Sequence, residues 1–427
     1  MRLRTIIAFC ALWNLIHLGC AQTLSVTPSE VMADEPAIIR ITGLLPAQHA
    51  TIEGSLTDGG GQNWSSRAEF VADGQGTVDT SLEAPLKGSY HTVSAMGLVW
   101  SMMPQDKGVH LYEHPHDLSV QPVSFRLIVD GKQAASAELR QSFIAPGVSR
   151  VQVKGVLHGV LFVPPGAGPN PAVLVLGGSE GGAPLAKAAW LASHGFAAFA
   201  LAYFHYDDLP GSLQNIPLEY FGQAIAWLSK RPEAAPGRLG IVGTSRGGEL
   251  ALQLAAIYPQ LKAVVAYVPA DVRYPACCGR NAGAAWTWQG EPLAFANDRF
   301  SDPATRLRAA IPVEDIKAPI LIISGGEDAV WPSGTMAEAI ESRLRRAHFP
   351  YNCQVLYYPH AGHRAGVPQI EPAWHNGLPH PSTGIVTLYG GTPEGDAQSS
   401  LDSIPKVLAF LHDNLSTATS AAPTPRP

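Results

Sequence analysis

The spacing of apolar residues differs between the first and second parts of the chain. Up to about residue 145, short β-prone runs are separated by Gly, Asp and Pro turns, and they comprise residues 37–41, 51–56, 76–79 and 124–129. Short runs of β-branched and aromatic residues bounded by turn residues are typical of strands. We therefore expect a small β-sandwich over residues 22–145.

From about residue 155 onward, apolar runs of strand length alternate with stretches of helical spacing. One helical stretch, Pro217 to Lys230, carries apolar residues three or four apart and stops before Pro232. The strand-like runs comprise residues 172–176, 196–202, 239–242, 262–268, 320–324 and 354–358. Such alternation predicts a mostly parallel sheet covered by helices, so residues 146–415 are expected to form an α/β domain.

One turn in this α/β domain has the sequence of a nucleophile elbow, Gly243-Thr244-Ser245-Arg246-Gly247. It lies between the strand-like residues 239–242 and the strong helix formers of residues 249–257. A sharp strand-to-helix turn brings residues 243 and 247 together, which requires small side chains there, and it raises the serine Oγ above the sheet. Ser245 is therefore the predicted nucleophile.

A second match to the same pattern makes Ser179 a rival nucleophile. The stretch Gly177-Gly178-Ser179-Glu180-Gly181 also follows an apolar run, but a further glycine and a proline come soon after it and indicate a looser turn. A glycine-rich loop after an earlier strand fits better as a donor to an oxyanion hole. We expect the backbone N–H groups of Gly178 and Arg246 to bind the oxyanion of the reaction.

A catalytic serine of this kind needs a carboxylate and a histidine, which follow it along the chain in that order. Residues 320–323 have the pattern of a buried strand, and Ser324-Gly325-Gly326-Glu327-Asp328 follows at the carboxyl edge of the sheet. Open α/β sheets place their sites at this edge. Asp328 is the predicted acid. The alternative is that Asp328 only caps a helix that begins near Ser333.

The histidine is predicted in the loop after the next strand-like run, residues 354–358. That loop is Pro359-His360-Ala361-Gly362-His363 and contains two histidines. The glycine before His363 allows the loop to turn the imidazole back over the site. His360 follows the strand directly and is expected to bond locally. His363 is therefore the predicted base.

Length and charge limit the classes of partner. The chain has 427 residues, 46% of them hydrophobic, which is enough for two cores. A net charge of −6 and a pI near 6.2 show no excess of basic residues that would bind a polyanion, so nucleic acid is not an expected partner. No stretch after residue 20 is long and apolar enough to span a bilayer. We expect a small-molecule substrate, and the pattern predicts no particular oligomeric state.

The first 21 residues have the pattern of an export signal. Arg2 and Arg4 precede the apolar residues 6–18, and Gly19-Cys20-Ala21 supplies small residues for cleavage after Ala21. The mature protein is then expected outside the cytoplasm, either periplasmic or secreted. A lipoprotein anchored through Cys20 is the alternative, although His17 fits that pattern poorly. At the other end, residues 416–427 are rich in Thr, Ala and Pro and are expected to be disordered.

Cysteine and histidine residues give weaker signals. Cleavage of the leader leaves three cysteines, Cys277, Cys278 and Cys353, and an odd count argues against a disulfide-built scaffold. One disulfide between Cys353 and either Cys277 or Cys278 is the alternative in an oxidising compartment. Three histidines at positions 110, 114 and 116 suggest a zinc site, but they lie in the predicted sandwich, far from the triad in sequence. We expect no metal and no cofactor.

The segment from about 271 to 310 combines aromatic and basic residues and supports two interpretations. It could cover an acyl pocket and present cations to a phosphorylated leaving group, or it could be a surface excursion packed by its own aromatic rings. The residues concerned are Trp286, Trp288 and Phe295 with Arg273, Arg280, Arg299, Arg306 and Arg308.

Longer stretches of the chain resemble one family. The run from Leu191 to Phe204, with residues 206–210 and 216–221 after it, closely resembles the acyl-CoA thioesterase and bile acid-CoA:amino acid N-acyltransferase family. The likeness continues through residues 243–250, 326–331 and 358–363, and in the amino-terminal part through residues 34–44 and 96–101. It covers roughly residues 25 to 415.

This resemblance implies an immunoglobulin-like β-sandwich followed by an α/β-hydrolase domain, with a triad that matches Ser245, Asp328 and His363. In the family, thioesterases carry serine at the elbow and the conjugating transferase carries cysteine, and this chain has serine. An amine attacks an oxygen ester less readily than a thioester, so hydrolysis of acyl-CoA-like thioesters to free acid is favoured over transfer to glycine or taurine. Because acyl-CoA is intracellular, the export signal keeps open an exported carboxylesterase or dienelactone-type hydrolase. The intact triad argues against a non-catalytic binding protein.

Overall fold

The computed structural model describes residues 21–106, 108–277, 282–297, 301–379 and 384–415. Cys20, Cys278, the tail from residue 416 and all of the predicted leader except Ala21 lie outside the described residues. Within these ranges the helices are α1 (Gly97–Trp100), α2 (Leu185–Ser193), α3 (Leu218–Ser229), α4 (Arg246–Ile257), α5 (Pro303–Ala309), α6 (Ser333–Arg346) and α7 (Pro393–Leu415), with a short 3₁₀ helix at Val313–Asp315.

The strands of the first part of the chain are β1 (Thr23–Thr27), β2 (Glu30–Met32), β3 (Ile38–Thr42), β4 (His49–Thr57), β5 (Asn63–Val71), β6 (Val78–Asp79), β7 (Lys87–Gly88), β8 (Met103–Pro104), β9 (Gln121–Val129) and β10 (Lys132–Ser142). The later strands are β11 (Ser149–Val153), β12 (His158–Val163), β13 (Asn170–Leu176), β14 (Ala197–Ala202), β15 (Ile216–Pro217), β16 (Ala234–Thr244), β17 (Leu261–Tyr267), β18 (Trp286–Trp288), β19 (Glu291–Pro292), β20 (Ile320–Gly325), β21 (Cys353–Tyr358), β22 (Leu378–Pro379) and β23 (Val386–Thr387).

The strands β1 to β10 form two sheets that enclose one apolar core. The smaller sheet has the order β1-β3-β6, and the larger has the order β2-β10-β9-β4-β5-β7 with β8 paired to β5. Along β9, buried and exposed residues alternate over most of the strand, so that one face packs inward. Ile39 and Ile41 from the smaller sheet share the core with Ile52 and Phe125 from the larger one. Two sheets packed in this way form a β-sandwich. That it is of the immunoglobulin type stays a prediction.

The second part of the chain is built on one large sheet with the order β11-β12-β14-β13-β16-β17-β20-β21. The first three strands pair antiparallel, and the others pair parallel. Apolar side chains point alternately to the two faces, so Leu174 and Leu176 belong to one core cluster while Val173 and Val175 belong to the other. Helices α3, α4 and α6 cover the first face, and α2 and α7 cover the second. This is the predicted α/β-hydrolase architecture, and the α/β fold class is confirmed.

A late stretch of the chain returns to the β-sandwich. The N–H of Ile370 donates to the carbonyl of Ala33 at 2.6 Å, and the N–H of Ala373 donates to the carbonyl of Trp100 at 2.9 Å. The side chains of both residues belong to the sandwich core. We call residues 369–376 the bridging segment. Since β10 ends at Ser142 and β11 begins at Ser149, the change of sheet falls near residue 145, and the domain boundary placed there stays a prediction.

None of the helices described above combines the length and the apolar character that a membrane crossing requires.

Candidate active site

Ser245 occupies a strained turn between β16 and α4. Its backbone φ is 56°, a left-handed value that side-chain-bearing residues rarely adopt, and its N–H donates to the carbonyl of Tyr267 at 2.9 Å. A Cβ on Gly243 would collide with the carbonyl of Gly247, and a Cβ on Gly247 would come within 2.6 Å of the carbonyl of Leu176. Both elbow glycines are therefore sterically required, as the motif predicts.

The three predicted triad residues form one hydrogen-bonded chain. His363 Nε2 lies 2.8 Å from Ser245 Oγ, and His363 Nδ1 lies 2.8 Å from Asp328 Oδ2. Because an ionised carboxylate only accepts, Nδ1 carries the ring proton in the neutral imidazole and Nε2 accepts from the serine hydroxyl. The side chain of Asp328 is fully buried, while Ser245 is 9% exposed. The arrangement can move the serine proton onto an imidazole whose orientation the carboxylate holds.

The alternatives for the acid and the base lie outside this chain. Helix α6 begins at Ser333 without a side-chain cap, and Asp328 Oδ1 instead accepts from the N–H groups of Val330 and Trp331 at 3.0 and 3.3 Å. His360 is an exposed residue whose Nδ1 lies 3.0 Å from Glu327 Oε1, so it bonds locally as expected. Asp328 is thus held by its own turn, not used as a helix cap.

The ring of His363 packs between two aromatic side chains. Tyr389 stacks on it with the ring planes 13° apart, and Trp331 approaches edge-on with centroids 5.4 Å apart. The His363 N–H donates to the carbonyl of Tyr389 at 2.8 Å. Sequence reasoning did not select Tyr389. A long stretch without a strand or helix pattern separates it from the last predicted strand, so the sequence does not indicate where it lies in the fold.

Of the two predicted oxyanion donors, one N–H lacks an intrahelical acceptor and the other already donates to a carboxylate. Arg246 is the first residue of α4, so its N–H has no intrahelical acceptor and points out of the helix end. The N–H of Gly178 donates to Glu180 Oε1 at 2.8 Å, although a Cβ on Gly178 would lie only 3.3 Å from Ser245 Cβ. Gly178 is therefore well placed beside the serine, but its donor faces a carboxylate. It can bind an oxyanion only after Glu180 turns away.

Ser179, the rival nucleophile, lies in the loop that contains Gly178. The loop follows β13, and α2 begins only at Leu185, so the sharp strand-to-helix turn of an elbow does not occur here. The Tyr203 hydroxyl donates to the carbonyl of Gly177 at 2.7 Å and fixes the start of the loop. Its geometry suits the presentation of backbone donors.

A buried charged network lies directly beneath the elbow. Arg246 donates to the carbonyls of Pro275 and Tyr274 at 2.7 and 3.0 Å. Its Nε is 3.1 Å from Glu249 Oε2, although these two atoms are not aligned as a hydrogen bond, and its Nη2 donates to Glu249 Oε1 at 3.5 Å. Glu249 Oε1 accepts from Trp286 Nε1 at 2.6 Å, and burial raises the pKa of this carboxyl. The network anchors Tyr274, Pro275 and Trp286 to α4.

Several aromatic and basic residues in the described parts of the segment 271–310 pack against other protein groups. Trp286 is 1% exposed and belongs to the core beside Tyr203 and Phe221, so it does not line an open pocket. Arg273 donates to Gln253 Oε1 at 2.9 Å, and Arg306 pairs with Asp271. These contacts correct the pocket interpretation for Trp286 and support the packed excursion. Arg280 and Arg299 lie outside the described residues.

Lys187 is a buried ammonium group next to the elbow that sequence reasoning did not select. Its Nζ donates to Thr244 Oγ1 and lies 3.8 Å from the ring centroid of Tyr267. Burial lowers the pKa of this lysine to about 7. The available signal was a single charge in the otherwise apolar helix α2, Leu185–Ser193.

The weaker signals resolve differently. His116 pairs with Glu113 at 3.0 Å and His110 with Asp106, so the three histidines do not converge on one point. Within the described ranges, no three His, Cys, Asp or Glu side chains cluster as a metal site would need. Cys277 is disulfide-bonded and Cys353 is a free thiol, so the bridge considered between residues 277/278 and Cys353 is not formed.

Comparisons with known proteins agree over most of the chain. Residues 34–155 match the family model for the acyl-CoA thioester hydrolase/BAAT N-terminal region, and residues 216–277 and 281–417 match the model for the BAAT/acyl-CoA thioester hydrolase C terminal. Acyl-coenzyme A thioesterase 6 of Mus musculus is 32% identical over 412 residues, covering 92% of this chain and 97% of that protein. Acyl-coenzyme A thioesterase 1 of Homo sapiens is 31% identical, with the same coverage of 92% and 97%.

Solved structures give more distant likenesses. A putative dienelactone hydrolase from Klebsiella pneumoniae is 20% identical with a TM-score of 0.40, over 62% of this chain and 97% of that one. A puromycin-hydrolyzing peptidase of Mycobacterium tuberculosis is 14% identical with a TM-score of 0.45, over 88% and 54%. The full-length identity to the thioesterases and the two family models decide the relationship. The chain belongs to the acyl-CoA thioester hydrolase/BAAT family.

Proposed function

We propose that this protein is a serine hydrolase of acyl thioesters that acts on acyl-CoA-like substrates through an acyl-enzyme on Ser245. The observation that carries the proposal is the hydrogen-bonded chain from Asp328 through His363 to Ser245, with both distances at 2.8 Å. The substrate class is supported by relatives that are named acyl-coenzyme A thioesterases and match nearly the whole chain. The triad accounts for the hydrolysis, and the family accounts for the choice of ester.

In the first half of the reaction, Ser245 Oγ attacks the acyl carbonyl carbon while His363 Nε2 takes the hydroxyl proton. The Nδ1–H bond to Asp328 stabilises the imidazolium that forms. The N–H groups of Arg246 and Gly178 bind the tetrahedral oxyanion after the Glu180 carboxylate has left Gly178. Each such donor contributes roughly 10²–10³ in rate. Collapse of the intermediate breaks the carbon–sulfur bond, and His363 returns its proton to the leaving thiolate.

In the second half, water attacks the acyl-enzyme with His363 again as the base. Free acid is the expected product. An amine attacks an oxygen ester less readily than it attacks the thioester that a cysteine nucleophile would form, so added glycine or taurine should not divert the acyl group. Substantial N-acyl glycine or taurine would overturn hydrolysis as the reaction.

A labelling experiment tests the nucleophile. The unmodified protein is expected to react with a fluorophosphonate and to hydrolyse acyl-CoA. Ser245→Ala should lose the label and at least about 10³-fold of the turnover, because the covalent step is removed. Ser179→Ala serves as the matched control and should keep most of both. Labelling that persists in Ser245→Ala and vanishes in Ser179→Ala would reverse the assignment.

An oxygen ester is the second candidate substrate, and the export pattern of residues 1–21 favours it, since acyl-CoA is an intracellular metabolite. The same triad would serve either ester. Comparison of kcat/KM for an acyl-CoA and a p-nitrophenyl ester with the same acyl chain separates the two. We expect the thioester to be preferred, and a clear preference for the oxygen ester across chain lengths would support an exported carboxylesterase instead.

A further inference from the structure

The loop that carries His363 is held from behind by an acidic residue outside the triad. Asp396 lies in the first turn of α7, is 3% exposed, and its Oδ1 accepts from the N–H of Gly362 at 2.8 Å. Gly362 is the residue directly before His363. A Cβ on Gly362 would collide with the carbonyl of Gly390, so the loop is clamped between the chain at residue 390 and helix α7. The position of Gly362 therefore determines where the backbone of His363 lies, and with it the imidazole.

His375 connects the two supports of His363. Its Nε2 lies 3.3 Å from Asp396 Oδ2, and its side chain is 7% exposed. Its ring also approaches Tyr389 edge-on, with centroids 5.7 Å apart. Tyr389 is the residue whose ring stacks on His363 and whose carbonyl accepts from the His363 N–H. One buried side chain therefore touches both groups that locate the catalytic imidazole.

His375 belongs to the bridging segment, which is fixed to the β-sandwich. Beyond the bonds of Ile370 and Ala373, Gln141 Nε2 donates to the Ile370 carbonyl at 2.9 Å. Asn376 Oδ1 accepts from the His110 N–H at 2.9 Å. The rings of Trp374 and Trp64 lie 6.4 Å apart. Contacts thus run without a gap from the sandwich, through the bridging segment and Asp396, to the His363 loop.

We propose that Asp396 and His375 are positioning residues that hold His363 in place between Ser245 and Asp328, and that the β-sandwich supports catalysis through them. This inference rests on the proposed roles of Ser245 and His363. Neither residue touches the reacting atoms, since Asp396 acts through Gly362 and His375 acts through Asp396 and Tyr389. Loss of the Asp396 carboxylate would leave the Gly362 N–H buried without its acceptor, and the loop would shift to relieve it. A misplacement of about 1 Å at a catalytic group can cost about 10²-fold in rate.

Kinetics of paired substitutions at Asp396 test the proposal. Asp396→Ala is expected to lower kcat by about 10- to 100-fold and to leave KM within about 2-fold, because substrate binding does not use this residue. Asp396→Asn keeps an oxygen that accepts from Gly362 and should retain kcat within a few-fold. Asp413→Ala, an exposed aspartate on the same helix, is the control and should match the unmodified protein. An unchanged kcat in folded Asp396→Ala, or an Asn variant as impaired as the Ala variant, would overturn the inference.

Hydrogen–deuterium exchange gives a readout that needs no turnover. The peptide covering residues 359–364 should exchange slowly in the unmodified protein and in Asp396→Asn, and markedly faster in Asp396→Ala. Unchanged exchange in Asp396→Ala would contradict a holding role for Asp396. Failure of Ser245 labelling with the exchange pattern intact would count against the proposed function alone.

His375→Phe supplies a second variant if Asp396→Ala does not fold. Phenylalanine keeps a ring against Tyr389 but lacks the nitrogen that contacts Asp396. We expect a several-fold lower kcat and faster exchange in residues 359–364, with KM little changed. Values equal to those of the unmodified protein would overturn the role of His375.

Discussion

At the scale of single residues, the site depends on a serine in an unfavourable conformation. A left-handed non-glycine backbone such as that of Ser245 costs on the order of 1–3 kcal/mol and persists only where its surroundings determine it. Here the Tyr267 carbonyl fixes the Ser245 N–H, and Lys187 donates to the neighbouring Thr244 hydroxyl. The strain places Oγ at the imidazole of His363 before any substrate arrives, which is the preorganisation that nucleophilic catalysis uses.

The Glu180 carboxylate is expected to compete with substrate for the Gly178 donor. Glu180→Ala should raise kcat/KM for acyl-CoA several-fold, because the N–H of Gly178 then no longer has to release a charged acceptor. Steady-state kinetics measure this. Glu327→Ala, which removes an exposed carboxylate from a neighbouring loop, is the control and should have little effect. A fall in kcat/KM on removal of Glu180 would show that its bond to Gly178 is needed to shape the loop.

Burial of Lys187 is expected to make the stability of the protein depend on pH. Its folded pKa of about 7 lies below the ordinary 10.5, so between these values the unfolded chain binds a proton that the folded chain does not. Stability therefore rises with pH through this window, and the full cost, on the order of a few kcal/mol, applies below it. Lys187→Met should gain most in free energy of unfolding near pH 6 and least near pH 10. Denaturant titrations of both proteins at the two pH values measure the difference, and a pH-independent difference would contradict this account.

Local sequence predicted the three residues that form the hydrogen-bonded chain, but not the groups that contact them. Ser245, Asp328 and His363 each lie in a short motif after a strand pattern, and their order along the chain is fixed by the fold. Lys187 and Asp396 lie in no such motif, and the glycine-rich stretch that contains Glu180 gives no sign that its carboxylate contacts Gly178. Their roles come from contacts between distant parts of the chain, such as the 34 residues that separate Asp396 from Gly362, and no spacing rule predicts those.

At the scale of elements, apolar patterning located the parallel strands of the large sheet better than its first antiparallel strands. The runs at 172–176, 239–242 and 320–324 fall inside β13, β16 and β20, because strands buried on both faces carry near-continuous apolar residues. The pattern missed β11 and β12. β11 has only two apolar residues. β12 is a short apolar run between glycine and proline turns, and a run of that length does not by itself indicate a strand of the large sheet.

Close packing of the elbow against the end of β13 should make Gly247 intolerant of any side chain. Gly247→Ala is expected to destabilise the protein by about 2 kcal/mol or more, since its Cβ would press on the backbone carbonyls of Leu176 and Gly177. Gly211→Ala is the control, because a Cβ there would meet no heavy atom within 4 Å. Thermal unfolding of the two variants gives the comparison. Equal melting temperatures would show that the elbow has room to relax.

At the scale of the whole molecule, contacts connect the candidate site to both parts of the chain. The triad lies entirely on the loops of the large sheet, while the bridging segment and α7 connect the His363 loop to the β-sandwich. Composition and patterning predicted two cores. They did not predict that residues 369–376 leave one part to complete the core of the other, because an irregular segment carries no periodic signal.

We predict that the leader is removed when the protein is exported from the cytoplasm. Arg2, Arg4, the apolar residues 6–18 and the small residues before Gln22 predict a mature chain that begins at Gln22 outside the cytoplasm. Intact-mass analysis of protein from separated cell fractions measures both the terminus and the location. Soluble cytoplasmic protein that retains Met1 would contradict export, and a mature terminus at a lipidated Cys20 would support anchoring instead.

Direct observation of an acyl group on Ser245 tests the central claim most directly. The protein is mixed with excess acyl-CoA, quenched in acid within the first turnover, digested, and analysed by peptide mass spectrometry. We predict the added mass of one acyl group on the peptide containing Ser245, formed at least as fast as kcat and absent from Ser245→Ala. Acylation of Ser179 instead, or continued hydrolysis by Ser245→Ala at an undiminished rate, would contradict the account.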